Sequence, residues 1–143
     1  MKSLFLISII TLLVTSCANK DRKTPSTPSP TPTTTNTASV VQITDANYDE
    51  VVRSQKVVLL FFWAPWSAPD RAMMPTIDAV AIDYSGRVKI GKVNVDENPE
   101  LAGKFKIRGI PTVVVLKDGT EQERVVGLLP KKKVSDLLDK QLH

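Results

Sequence analysis

The run Val57-Val58-Leu59-Leu60-Phe61-Phe62-Trp63-Ala64 constrains this chain more than any other stretch. It is almost wholly apolar and rich in β-branched and aromatic residues, without the alternation of a half-exposed strand. Such a run reads as a central strand covered on both faces. A sheet of that kind needs layers of helix on either side, and the flanking sequence supplies them. Ahead of it, Val40-Val41-Gln42-Ile43 is a short β-like run, and Thr44 or Asp45 is placed to cap a helix reaching Ser54 with Tyr48, Val51 and Val52 on one face. After it, a turn through Pro65-Trp66 leads into a helix from about Ser67 to Tyr84. There Met73, Met74, Ile77, Val80 and Ala81 recur at helical spacing, and Pro75 removes one hydrogen bond and predicts a kink.

The rest of the chain continues the alternation. Val88 to Val95 reads as a strand, and Asn98-Pro99 as a helix start with Asn as cap, ending before Gly109. Thr112 to Lys117 is a strand, Asp118-Gly119 a hairpin turn, and Glu121 to Val126 the partner strand. Gly127 ends it, and Pro130 or Lys131 to Leu142 forms an amphipathic helix with Val134, Leu137 and Leu138 turned inward. The order βαβαβαββα implies an α/β fold: a mixed sheet, parallel at first with an antiparallel closing hairpin, and helices on both faces.

Only about 104 of the 143 residues are available to this domain, 40–143, enough for one modest core. Residues 1–16 have the parts of an export signal: Lys2, then the apolar stretch Leu4 to Val14, too short to span a bilayer comfortably. Val14-Thr15-Ser16-Cys17 resembles the lipobox of bacterial lipoproteins, which implies cleavage before Cys17 and its lipidation. Two or three acyl chains anchor firmly, at roughly 0.8 kcal/mol per buried CH₂. Residues 17–39 follow as a tether. Of the 16 residues from Thr24 to Ser39, seven are Thr, four Pro and three Ser, a composition that cannot bury a core. The 22 residues from Ala18 to Ser39 reach at most about 68 Å in polyproline form. The expected location is extracytoplasmic, lipid-anchored to a bacterial membrane.

Most of the net charge of +4 lies ahead of the domain: Lys2 in the leader gives +1, and Lys20, Asp21, Arg22 and Lys23 after it give +2. Residues 40–143 carry 15 Lys/Arg and 14 Asp/Glu, and the one basic run, Lys131-Lys132-Lys133, opens a helix as a solvated face. Nucleic acid is not an expected partner. Cys17 is the chain's single cysteine, so no internal disulfide is possible.

From Val40 onward the chain resembles the thioredoxin family. The matching pieces are Phe62-Trp63-Ala64-x-Trp66-x-x-Pro69, Pro75, Lys92-Val93-Asn94-Val95-Asp96-x-Asn98-Pro99, Arg108-Gly109-Ile110-Pro111-Thr112, and Asp118-Gly119 followed by Gly127. The resemblance implies a thioredoxin fold with strand order 1-3-2-4-5 and a cis bond before Pro111, facing the turn at Ser67. It also implies protein-disulfide reductase activity, but the key residues differ. Where the family has Trp-Cys-Gly-Pro-Cys-Lys, this chain has Trp66-Ser67-Ala68-Pro69-Asp70-Arg71, and Phe61 stands at the family's buried Asp. Lys92, that Asp's usual partner, is kept. Disulfide exchange needs an attacking thiolate and a resolving thiol, and neither Ser67 nor Asp70 provides one. No catalytic residue, cofactor or metal is therefore expected.

Ser67-x-x-Asp70 has instead the form of a capping box: Ser67 accepting the N–H three residues on, Asp70 reaching back to the N–H of Ser67. What the resemblance preserves is a peptide-binding groove at Trp66, Ile110, Pro111 and Gly127, where the backbone at Ile110 pairs with an extended segment. The resulting expectation is a monomeric, redox-inactive protein that binds an extracytoplasmic protein or peptide. The alternatives are thioredoxin-type thiol-disulfide exchange, and a hydroxyl-based glutathione or thiol transferase using Ser67.

Overall fold

The computed structural model describes residues 40–143. The expected signal peptide, Cys17 and the expected tether lie outside the described residues. The elements are β1 (Val41–Gln42), α1 (Tyr48–Arg53), β2 (Val57–Trp63), α2 (Ala68–Asp83), β3 (Lys89–Asn94), α3 (Pro99–Lys104), β4 (Thr112–Lys117), β5 (Thr120–Val126) and α4 (Lys131–Leu142). They form one five-stranded sheet in the order β1-β3-β2-β4-β5. β1 and β2 run parallel to β3, while β4 is antiparallel to both β2 and β5. This is the thioredoxin-type arrangement that the sequence implied.

β2 is the central strand, and its two faces feed two separate cores. Val57, Leu59 and Phe61 join Val113 and Val115 of β4 beneath α2 and α4, with Met73, Ile77, Val80, Val134 and Leu138. Val58, Leu60 and Phe62 join Val114 and Leu116 beneath α1 and α3, with Ile43, Tyr48, Leu101 and Phe105. Strand periodicity alone sends alternate residues to opposite faces. An uninterrupted apolar run is what such a strand needs when both faces are roofed.

The hairpin between β4 and β5 has Asp118 at φ 51° and Gly119 at φ 77°. Both central residues are left-handed, which Asp-Gly accommodates and which matches the twist of the strands it joins. Gln122 is an extra residue in β5, since Val115 pairs with Glu123 and Leu116 with Glu121. Pro75 is exposed inside α2, where its missing N–H leaves the carbonyl of Arg71 without its usual donor.

Helix capping differs from the local expectation. Thr44 and Asn47 bond reciprocally, each accepting the other's backbone N–H (2.8 and 3.3 Å), and α1 starts only at Tyr48. Asp45 does not cap α1. Its carboxylate accepts the N–H groups of Leu101 (2.9 Å) and Glu100 (3.3 Å) and so caps α3 from the segment that follows β1. Asn98 makes no side-chain cap of its own; its Oδ1 accepts the N–H of Asp45 at 3.0 Å and its amide donates to the carbonyl of Asn94 at 2.9 Å. The free N–H groups of a short helix are satisfied by whichever acceptor the fold places there, and here that acceptor is 56 residues away in sequence.

Candidate functional site

The site lies where β2 ends and α2 begins. Ala64, Pro65, Trp66 and Ser67 make the turn, closed by the Ser67 N–H donating to the Ala64 carbonyl at 3.2 Å. The Arg71 guanidinium donates back to the carbonyl of Pro65 at 2.9 Å. Pro69 occupies the first helical turn, where no N–H is required.

The capping box does not form. Ser67 is the N-cap residue, but its side chain makes no cap hydrogen bond. Asp70 is fully buried, and its Oδ2 accepts the N–H of Ala64 at 2.8 Å rather than that of Ser67. Two physical facts explain this. The Ser67 N–H is already engaged in the turn. Asp70, Met73 and Ile77 lie on the inward face of α2, so the carboxylate points at the end of β2 instead of back along the helix. The other carboxylate oxygen, Oδ1, is buried without a hydrogen-bond partner among the described residues, as is the indole Nε1 of Trp63.

Ser67 itself is buried, only 5 % exposed. Trp66 beside it is 68 % exposed, and its indole N–H donates to the Asp96 carboxylate at 2.9 Å. Phe61, further back along β2, is fully buried among apolar neighbours. The ammonium of Lys92, whose Cα pairs with that of Phe61, instead reaches Asp78 on α2 at 2.7 Å.

Beside the turn, Phe62 pairs with Thr112, so the segment before β4 comes to the same end of the sheet as Ser67. The Ile110–Pro111 bond is cis. Pro111 is buried and Ile110 half-buried. Gly127, at φ 104°, donates its N–H to the Pro111 carbonyl at 2.7 Å, which binds the end of β5 to the proline. The Thr112 hydroxyl donates to the Gly109 carbonyl at 2.6 Å. Among the described residues, no turn or loop backbone bond uses the N–H or carbonyl of Ile110. The fold therefore joins Ile110, Pro111 and Gly127 directly and places Trp66 at the same end of the sheet.

Two residues escaped the sequence reading. Val126 and Leu128 flank Gly127 and are each 60 % exposed. The signal was present: in the alternation of β5, Val125 is the inward residue and Val126 the outward one, so an apolar Val126 was already surplus to the core. With Trp66 they account for three of the four large apolar side chains exposed among the described residues, Ile82 being the fourth.

Comparison with known proteins agrees with this architecture. The family model described as thioredoxin matches residues 39–140. Thioredoxin of Staphylococcus haemolyticus is 43 % identical over 104 residues, covering 73 % of this chain and 99 % of that protein. Thioredoxin 1 of Synechococcus elongatus is 46 % identical over 101 residues, covering 70 % and 94 %. Among solved structures, a single-site mutant of a thioredoxin from Halobacterium salinarum superposes with a TM-score of 0.70 at 30 % identity, over 74 % of this chain and 93 % of the other.

Proposed function

The chain belongs to the thioredoxin family, and from that premise we propose that it is a lipid-anchored, extracytoplasmic member that binds an extended protein segment without exchanging thiols. The observation carrying this reading is the state of Asp70. At the place of the family's second cysteine stands a buried carboxylate engaged with the Ala64 amide. At the place of the first stands Ser67, and the chain's single cysteine is Cys17. A hydroxyl and a carboxylate form no disulfide, and each turn of exchange needs an attacking and a resolving thiol.

The surface for the segment is Trp66, Ile110, Pro111 and Gly127, widened by Val126 and Leu128. Exposed apolar side chains beside a backbone position with unused hydrogen-bonding groups suit addition of a strand. The ligand is an envelope protein or peptide, and the role that of an adaptor or weak chaperone. Binding to a peptide array, or capture from envelope extract, is expected to fall about tenfold, roughly 1.4 kcal/mol, in Trp66→Ala and in Ile110→Lys. Unchanged binding in both variants overturns the reading. Fatty-acid labelling that persists in Cys17→Ser overturns the anchor.

The names of the relatives favour a second reading, thiol-disulfide exchange. For this chain it requires every thiol to come from a partner. Insulin reduction decides between the two: no turnover is expected for the native chain, and some is expected when Ser67→Cys and Asp70→Cys are combined. Turnover by the native chain would establish the exchange reading. A third reading, with the Ser67 hydroxyl steering a bound thiol, predicts heat on titration with glutathione; a flat titration ends it.

A further inference from the structure

The end of the sheet opposite the turn gathers cations that are scattered in sequence. Lys56 precedes β2; Lys89, which opens β3, pairs with Val58; Lys117, which closes β4, pairs with Val57. Arg87 stands two residues before Lys89, and the segments are tied together by Gln55 donating to the Gly86 carbonyl (3.2 Å) and Asp118 N–H to the Lys56 carbonyl (2.8 Å). Arg53, at the end of α1, shares with Lys56 a shallow concavity of about 450 Å³ lined also by Val52, Gln55, Asp118 and Gly119.

None of these five cations has a carboxylate side-chain partner among the described residues. Lys117 touches only the carbonyl of His143 (3.4 Å), and Arg87 bonds the Asp83 carbonyl and lies over the Tyr84 ring. Carboxylates near these cations are Asp118, Asp83 held by Lys131, Glu121 held by Arg124, the chain terminus, and Asp49 and Glu50 one turn before Arg53 on α1. Setting aside the five cations and Asp118, the remainder of 40–143 has 10 Lys/Arg against 13 Asp/Glu. The domain is nearly neutral overall, and these five cations are held at one end of its sheet.

The chain also enters the domain from this end. Val41 pairs with Gly91 in parallel register, so Val40 joins the sheet on the Lys89 side. We infer that this basic end docks on anionic lipid headgroups, with phosphates seated between Arg53 and Lys56, and holds the Trp66 end away from the bilayer. β2 separates the two ends by about 20 Å. The inference rests on the reading of Cys17 as the anchor, since the tether keeps the domain at high local concentration above the membrane. The basic residues then set its orientation through the negative surface potential.

The test uses the lipidated protein extracted from membranes and inserted in vesicles of phosphatidylcholine alone or of equal parts phosphatidylcholine and phosphatidylglycerol. Brief acylation of lysines is read by mass spectrometry. Lys56, Lys89 and Lys117 are expected to react roughly threefold more slowly on the anionic vesicles, with the protection lost at high salt. Lys106, exposed next to Phe105, whose carbonyl is held by Arg124 opposite the middle of β4, is expected to react equally on both. Lys56→Glu with Lys117→Glu, or the milder Arg53→Gln with Lys56→Gln, is expected to abolish the difference. Equal reactivity at Lys56 in protein that floats with phosphatidylcholine vesicles overturns the docking while leaving the anchor intact. Failure to float with those vesicles overturns the anchor and the docking with it. Protection that extends to Lys106 overturns the orientation.

Discussion

Phe61 and Lys92 stand side by side on β2 and β3, yet the lysine turns to Asp78 on α2 at 2.7 Å while the phenylalanine fills the core. A lysine beside a buried carboxylate would be a charged pair within the sheet. With Phe61 in that place the ammonium takes a partner that is itself 55 % exposed. Phe61→Ala is expected to cost about 3–5 kcal/mol, the range for emptying a buried aromatic site. Lys92→Met is expected to cost under about 1 kcal/mol, because an ion pair open to solvent contributes little. Urea midpoints of the two variants check the contrast; equal losses would contradict it.

Asp70 acts as an acceptor for the Ala64 amide. Replacement by Ala leaves that buried N–H unpaired, with an expected loss of about 1–3 kcal/mol. Asp70→Asn keeps a side-chain carbonyl for the same bond and offers the buried Oδ1 position a donor group. It is expected to be clearly less destabilising than Ala. Thermal unfolding of both variants measures the difference, and hydrogen exchange at the Ala64 amide should accelerate in Asp70→Ala alone.

Asp45 holds the start of α3 from the segment that follows β1. Asp45→Ala is expected to destabilise by about 0.5–2 kcal/mol, as for loss of a helix cap. The fraying should be local: faster amide exchange at Glu100 and Leu101, with β2 and β4 protected as before. A uniform acceleration through the sheet would mean that the bond matters to global stability instead.

The alkaline limb of stability reports on the tyrosines. Burial pushes the Tyr84 hydroxyl above its ordinary 10.0, helped by its hydrogen bond to Asp139 and opposed by its contacts with Ser135 and Arg87. Burial, then Asp49, raises Tyr48 in the same direction. A raised folded value means that the unfolded state loses its proton first. The contribution is therefore complete below pH 10.0 and is lost as pH rises through the folded value. Tyr84→Phe, which removes the bonds to Asp139 (2.7 Å) and the Ser135 carbonyl (3.2 Å), is expected to cost about 1 kcal/mol at neutral pH and to flatten the alkaline decline. Denaturant midpoints from about pH 8 upward, taken with absorbance titration, test both points.

Much of this protein is written locally. The uninterrupted apolar run of β2, the alternation of helix and strand patterns, and the Asp118-Gly119 turn determine the layers and the connections, because side-chain periodicity and left-handed turn residues act over a few neighbours. The absence of thiols at Ser67 and Asp70 is likewise a matter of residue identity. The bonds made by those residues are not. Ser67-x-x-Asp70 matches a cap in one dimension, but Asp70 serves Ala64 because helix α2 presents that position to the end of β2. Asp45 looks like a cap for α1 and serves α3, since the nearest free N–H groups in space belong to a helix far along the chain. The exposure of Trp66, Val126 and Leu128 at one end, and the meeting of Arg53, Lys56, Arg87, Lys89 and Lys117 at the other, exist only once strand order and register align segments that lie tens of residues apart. Hydrogen-bond partners and surface charge are properties of proximity, and proximity between distant segments is what folding supplies.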